Sequence, residues 1–238
     1  MTTMVQRLGG VLADDVRHPI AAVTNRYDII GDIHGCARQL EDLLIAMGYE
    51  HDGVSDRHAE RRAIFLGDFI DRGPQQAATL DIVRTMVGNQ AALAVMGNHE
   101  FNAICYATPS DGGFLRPRTE KNTHQHAAFL AEFPLGSETH RSAIAWFSSL
   151  PLWLDLAGIG VVHACWDEES FAAIAPHLRQ DRSLPPEAFR LYAAPATGFH
   201  DAIERILKGP EHALPEQLWF KDKDGHPRSH ARIRWWQE

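Results

Sequence analysis

Tyr27-Asp28-Ile29-Ile30-Gly31-Asp32-Ile33-His34-Gly35 reads as a short β-strand running into a glycine turn that carries a carboxylate and an imidazole. The pattern recurs twice. Arg62-Ala63-Ile64-Phe65-Leu66 runs into Gly67-Asp68-Phe69-Ile70-Asp71-Arg72-Gly73, and the stretch 91–96 runs into Gly97-Asn98-His99-Glu100. Between the strands the apolar spacing turns helical. Leu40, Leu43, Leu44 and Met47 give residues 36–47 one buried side, and Leu80, Ile82, Val83, Met86 and Val87 do the same after Pro74, a residue suited to a helix start. A strand-turn-helix unit at intervals of roughly 30 residues predicts an α/β fold with parallel strands and helical crossovers. Ligands of such sheets gather beyond the carboxyl ends of the strands, so the three turns should share one cleft.

The rest of the chain sets bounds. Its 238 residues suit one large α/β domain, and a hydrophobic content of 45% is enough for a sizeable core. A mean hydropathy of -0.27 reads as soluble, and no run approaches the roughly 18 apolar residues of a membrane span. Residues 1–25 carry Arg7, Asp14, Asp15, Arg17 and His18 and no continuous apolar stretch, so they are expected to be a flexible N-terminal arm rather than a secretory signal. Residues 26–238 then form a single domain. With 31 acidic and 23 basic residues the net charge is -8, which argues against nonspecific duplex binding and leaves nucleic-acid processing the least favoured function. Cys36, Cys105 and Cys165 are odd in number and lack CxxC spacing, which predicts free thiols in a reducing cytoplasm.

Beyond residue 106 the pattern changes. Residues 107–123 read as a loop, followed by helices near 124–133 and 138–149, the second capped by Ser137. This segment, 107–150, is expected to be a lid-like, substrate-facing insertion. Strand character returns at 152–156 and again at Val161-Val162-His163-Ala164. Residues 167–208 read as mostly helical, with breaks at Pro185-Pro186 and Pro195, and a turn at Asp224-Gly225 precedes strand-like alternation that ends in Trp235-Trp236.

Asp32 and His34 stand two residues apart, and on an extended chain they share a side. One carboxylate oxygen and one imidazole nitrogen suit a transition metal better than calcium. Asp68, at the end of the next strand, is positioned to bridge two metals; Asn98 offers a neutral carbonyl oxygen and His163 a further imidazole. Two metals about 3.5–4 Å apart polarise a phosphoryl oxygen, activate water and steady a leaving oxygen. Singly, each motif has a plain reading: a surface Asp-x-His, a salt-bridged tight turn, a helix capped by Asn98. Their occurrence together, in order and each behind a strand, favours the metal centre.

This set resembles the calcineurin-like metallophosphoesterase superfamily, in the branch that holds the phosphoprotein (Ser/Thr) phosphatases and the bacterial dinucleoside tetraphosphatases. The run from Tyr27 to Cys36, with Leu40 and Leu43-Leu44 behind it, is similar to the bacterial members in particular. The likeness covers residues 27–105 and reaches His163 more weakly. It implies a layered β-sheet core flanked by helices. It also implies two divalent metal ions, manganese first, with iron, zinc, nickel or cobalt as alternatives. Asp32 and His34 would bind the first, Asp68 would bridge, and Asn98 and His163 would bind the second. His99 would be the general acid, oriented by Asp71, which raises imidazole basicity and fixes the tautomer. Arg72 would clamp phosphate oxygens through its planar fork, beside Asn98. Glu100 would support the site or cap the following helix rather than bind metal.

One family feature has no clear counterpart, a late Gly-His metal ligand. Gly198-Phe199-His200 and Gly225-His226-Pro227 are imperfect candidates, and the two terminal tryptophans are poorly placed for burial. The chain is therefore expected to be truncated relative to its relatives, with the second metal one ligand short. The function the resemblance implies is phosphate ester or anhydride hydrolysis by metal-bound hydroxide, with no covalent intermediate. The substrate is a dinucleoside polyphosphate, a phosphoprotein or a small phosphomonoester, and the bacterial character of the first motif favours nucleotides or small molecules. The alternative is a non-catalytic binding or regulatory protein that keeps the fold with an incomplete second metal site.

Overall fold

Three short parallel strands carry the three motifs at their carboxyl ends. The computed structural model describes residues 26–194, 197–221, 225 and 227–237. The N-terminal arm, Pro195, Asp224 and His226 lie outside the described residues. Strand β1 (Tyr27–Ile30) pairs in parallel with β2 (Arg62–Phe65), and β2 with β3 (Ala92–Ala94), so β2 is central. Crossovers run through α1 (Ala37–Ala46) and α2 (Gln76–Gly88), as the apolar spacing requires. Leu40, Leu44, Leu80, Val83 and Met86 are buried as expected, whereas Leu43 is exposed because it falls outside the stripe that α1 turns to the sheet. Strand β3 is shorter than the apolar run that encodes it. Val95 still donates to Phe65 O at 3.0 Å, but Met96 N turns away to Pro151 O at 2.9 Å, which ends the ladder.

Alternation along the sheet builds two layers. Ala63, Phe65, Ala92 and Ala94 pack with the helices in the main core, while Ile64 and Val95 pack on the opposite face with Val161. That second face is covered by an antiparallel hairpin of β4 (Trp153–Leu156) and β5 (Ile159–Val162), turned at Gly158. Fully burying a side chain such as Phe65 or Ile64 contributes about 1.5–3 kcal/mol, and β2 does so on both faces. The central strand thus fixes the turn that follows it.

After α3 (Asn98–Ala107) the stretch read as a loop contains a tight hairpin, Pro109–Ser110 against Gly113–Phe114, and the next helix begins earlier than expected. Helices α4 (Glu120–Gln125), α5 (Ala127–Glu132) and α6 (Glu138–Phe147) follow. Thr119 Oγ1 caps α4 by accepting from Asn122 N at 3.2 Å, which explains the early start, and Ser137 Oγ caps α6 by accepting from His140 N at 3.1 Å. The later region holds α7 (Glu168–Ile174), α8 (Pro186–Tyr192) and α9 (Gly198–Lys208). Strand β6 (Glu211–Ala213) then pairs antiparallel with β7 (His230–Arg232). Among the described residues no helix is long and apolar enough to cross a membrane.

Candidate metal centre

The three turns lock onto one another through backbone hydrogen bonds. Ile33 N and His34 N donate to Asp68 O at 3.1 and 2.9 Å, and Gly35 N donates to Phe69 O at 2.7 Å. Glu100, fully buried in the first turn of α3, accepts from Asp68 N and Phe69 N, both at 2.8 Å, and from Gly97 N at 3.0 Å. One carboxylate therefore ties the second turn to the third. Burial and the nearby Asp68 charge push the Glu100 carboxyl above its ordinary value, against those donors. Gln76 has a parallel role: its Oε1 accepts from Asp71 N at 2.8 Å and its Nε2 donates to Gly73 O at 2.6 Å. Gly97 is obligatory at the closest approach, since a Cβ there would lie 2.3 Å from Asp68 N. It also takes the position before α3, so Asn98 is the first helical residue rather than its cap.

Backbone strain concentrates here. His34, Asp68, Asp71 and Arg72 have φ of 50°, 54°, 69° and 68°, a region L side chains rarely adopt. The expected extended geometry between Asp32 and His34 is therefore corrected. A left-handed turn, not strand alternation, brings His34 Nε2 to 3.7 Å from Asp32 Oδ2.

The donor pattern around the two histidines points to a cation. His34 Nδ1 donates to Ile70 O at 2.9 Å, which leaves Nε2 with a lone pair. That atom is buried, has no hydrogen-bond partner among the described residues, and faces carboxylate oxygens of Asp32 at 3.7 Å and Asp68 at 3.8 Å. His163 repeats the arrangement. Its Nδ1 donates to Leu66 O at 2.6 Å, and its Nε2 stands 3.1 Å from Asn98 Oδ1 and 3.6 Å from Asp68 Oδ1. Lone pairs aimed at carboxylates repel unless a positive ion sits among them. Two groups, Asp32-Asp68-His163 and His34-Asp68-His99, each bring candidate ligand atoms within 4.8 Å of one another, with Asp68 in both. The adjoining His34 ring lowers the Asp32 carboxyl more than its burial raises it. A mixed nitrogen and oxygen set with a shared carboxylate fits a pair of divalent transition metals.

His99 stands beside this cluster, its ring 4.7 Å from that of His34 and edge-on to it. Its Nδ1 donates to Asp71 Oδ2 at 2.6 Å, so Nε2 faces the Asp68 side, 3.9 Å from Oδ2. Burial alone would lower the His99 imidazole, but the Asp71 hydrogen bond and the Asp68 charge raise it above its ordinary value. The other Asp71 oxygen accepts from His126 Nδ1 at 2.8 Å. Burial pushes the Asp71 carboxyl up, and the two histidine hydrogen bonds outweigh it and hold the group below the usual carboxylate range. His126 was not singled out from sequence. It lies in a polar stretch with no motif around it, just before α5, and only its hydrogen bond to Asp71, 55 positions away, reveals it.

Two clefts open on this centre. One, of about 470 Å³, runs from Asp71, Arg72 and His99 toward Arg116 and Lys121. The other, of about 530 Å³, joins Asp32, Asp68 and His163 to Arg232, Trp235 and Trp236. The two terminal tryptophans, expected to be poorly placed for burial, are exposed. Trp235 Nε1 donates to Ala164 O at 2.8 Å, and both rings border the second cleft while staying partly exposed. His200 takes no part in either ligand group; its Nδ1 lies 3.3 Å from Asp201 Oδ1 and its ring stacks on Tyr192.

The sequence model of the calcineurin-like phosphoesterase family matches residues 26–231. The bis(5'-nucleosyl)-tetraphosphatase PrpE of Oceanobacillus iheyensis is 29% identical over 184 residues, 77% of this chain and 70% of that protein. The enzyme of the same name from Bacillus mycoides is 45% identical over 76 residues, 31% of each chain. A protein serine/threonine phosphatase from Saccharomyces cerevisiae aligns in structure with a TM-score of 0.47 and 17% identity, over 87% of this chain and 53% of that one.

Proposed function

The chain belongs to the calcineurin-like phosphoesterase family, and on that premise we propose that it hydrolyses phosphoanhydrides of dinucleoside polyphosphates at a centre built on Asp68. The observation that carries this reading is the pair of lone-pair nitrogens, His34 Nε2 and His163 Nε2, both aimed at the Asp68 carboxylate. Asp32, His34 and Asp68 would hold one divalent ion, and Asp68, Asn98 and His163 the other, with manganese the first candidate. Bound there, the ions would supply Lewis acidity at the phosphoryl group and a water of lowered pKa. The rest falls to the chain's own side chains. Arg72 makes no ion pair among the described residues and borders both clefts, so its fork is available to phosphate oxygens. His99, protonated and aligned by Asp71, delivers a proton from Nε2 to the departing oxygen. His126 holds Asp71 in the orientation that His99 needs. From the 107–150 segment, whose apolar side chains pack into the main core, Arg116, Lys121, Asn122, Gln125 and His126 would face the substrate along the cleft beside His99. The free thiols Cys36, Cys105 and Cys165 suit a cytoplasmic setting.

The reading is tested with p-nitrophenyl phosphate, diadenosine tetraphosphate and a phosphoserine peptide, each with and without added manganese. Manganese-dependent turnover, highest on the tetraphosphate, is expected; folded protein inactive on all three under every divalent metal would contradict it, and preference for the peptide would reassign the substrate. His126→Ala should lower kcat about tenfold with KM little changed, because His99 loses its fixed partner. His126→Asn, whose amide can still donate to Asp71, should recover most of the loss. A His126→Ala enzyme with unaltered kcat removes the residue from the account.

A further inference from the structure

We propose that the cleft beside His99 is a subsite for an oligophosphate chain, in which Arg116 and Lys121 select substrates whose leaving group is itself a phosphate chain. The proposal rests on the phosphoanhydride reading above and names the side chains that would enforce it. In a chain of net charge -8, the described residues that border this one cleft include Arg72, Arg116, Lys121 and Lys208. Lys208 is compensated by Glu204, whose Oε2 lies 2.6 Å from Nζ. Arg116 is different. Its guanidinium donates to Asn102 Oδ1 at 3.0 Å and to Gln125 Oε1 at 3.1 Å, two neutral acceptors that fix its direction without cancelling its charge. Lys121, in the first turn of α4, has no ion pair among the described residues. Among the described residues, the one carboxylate bordering the cleft, Asp71, is already engaged by His99 and His126. The charges of Arg116 and Lys121, facing one cavity, repel one another, and a polyanion between them removes that repulsion.

The position of these charges decides which part of a substrate they meet. His99 gives its proton to the leaving oxygen, so groups on its side of the cleft face the leaving group. A serine or alkyl leaving group is neutral and gains little from two cations; a phosphate chain carries several negative charges and takes on more as the bond breaks. In the step, the oxygen of water bonds to phosphorus and releases one proton to solvent, the bond from phosphorus to the bridging oxygen breaks, and that oxygen departs on the chain with the proton from His99, which solvent then restores. Both products end in phosphate, and no electrons change hands.

The test compares wild type, Lys121→Ala, Lys121→Arg and the double variant Lys121→Ala/Arg116→Gln, each as the full chain. The readouts are kcat/KM for diadenosine tetraphosphate relative to p-nitrophenyl phosphate, and the affinity of the metal-free protein for inorganic tripolyphosphate by calorimetry. The ratio should fall at least fivefold in Lys121→Ala, further in the double variant, and recover in Lys121→Arg, with tripolyphosphate affinity following the same order. An unchanged ratio, or an equal fall on both substrates, overturns the subsite. A wild type active on p-nitrophenyl phosphate but silent on the tetraphosphate also overturns it and leaves the phosphoesterase reading standing. Should neither ester nor anhydride be hydrolysed, the phosphoesterase reading fails, and the tripolyphosphate series still decides whether the cationic cleft binds such a chain.

Discussion

Asp68→Asn is expected to lose metal binding and turnover together while keeping its fold. Both Asp68 oxygens are in use: Oδ1 accepts from His99 N at 2.9 Å and lies 3.6 Å from His163 Nε2, and Oδ2 lies 3.8 Å from His34 Nε2. Asparagine keeps an oxygen for His99 N and tolerates the left-handed backbone at this position. It removes the negative charge shared by both candidate ions. Altering groups one step removed from a metal typically costs 10–100-fold in affinity or activity, so loss of the bridging charge should exceed about 100-fold in both. The sign of the stability change is a sharper check. Without metal, Asp68 crowds Asp32 and the buried Glu100, so the metal-free variant should unfold at a temperature no lower than metal-free wild type. A folded variant that binds metal and turns over normally would remove Asp68 from the centre.

His99→Asn should separate chemistry from metal. The asparagine amide can replace Nδ1–H toward Asp71 Oδ2, but nothing then occupies the place of Nε2. Loss of a general acid typically costs 10²–10⁴-fold, and here the fall should appear in kcat, with metal content unchanged. Measuring kcat and metal content on the same preparation checks both halves. Retention of full activity would withdraw the acid role, and loss of metal along with activity would recast His99 as a ligand, a position its place in the His34-Asp68-His99 group allows.

Much of the fold was legible because its signals are local. An apolar run followed by a glycine turn marked each parallel strand, and the helical spacing of Leu40 with Leu44 and of Leu80 with Val83 marked the crossovers. Strand ends were less legible, since Met96 leaves the ladder for Pro151 O, a partner 55 positions away. At the site, Asp32, His34, Asp68, Asn98 and His163 stood out because each follows a strand. What brings Asp32 and His34 together was misread, because a left-handed turn at His34 cannot be told from an extended chain by spacing alone. His126, Arg116 and Lys121 were invisible for another reason. Helices α3 to α5 bring them to the cleft through packing, and no residue pattern around them records it. Glu100 lay between these cases: its place in the third motif was evident, its three backbone donors were not.

Metal content tests the central claim most directly. Full-length protein, stripped with chelator, reloaded with manganese and freed of excess, should hold close to two ions per chain by elemental analysis, and Asp68→Asn treated identically should hold neither firmly. One ion or none in the wild type, or two ions that persist in the variant, would contradict a centre built around that single carboxylate.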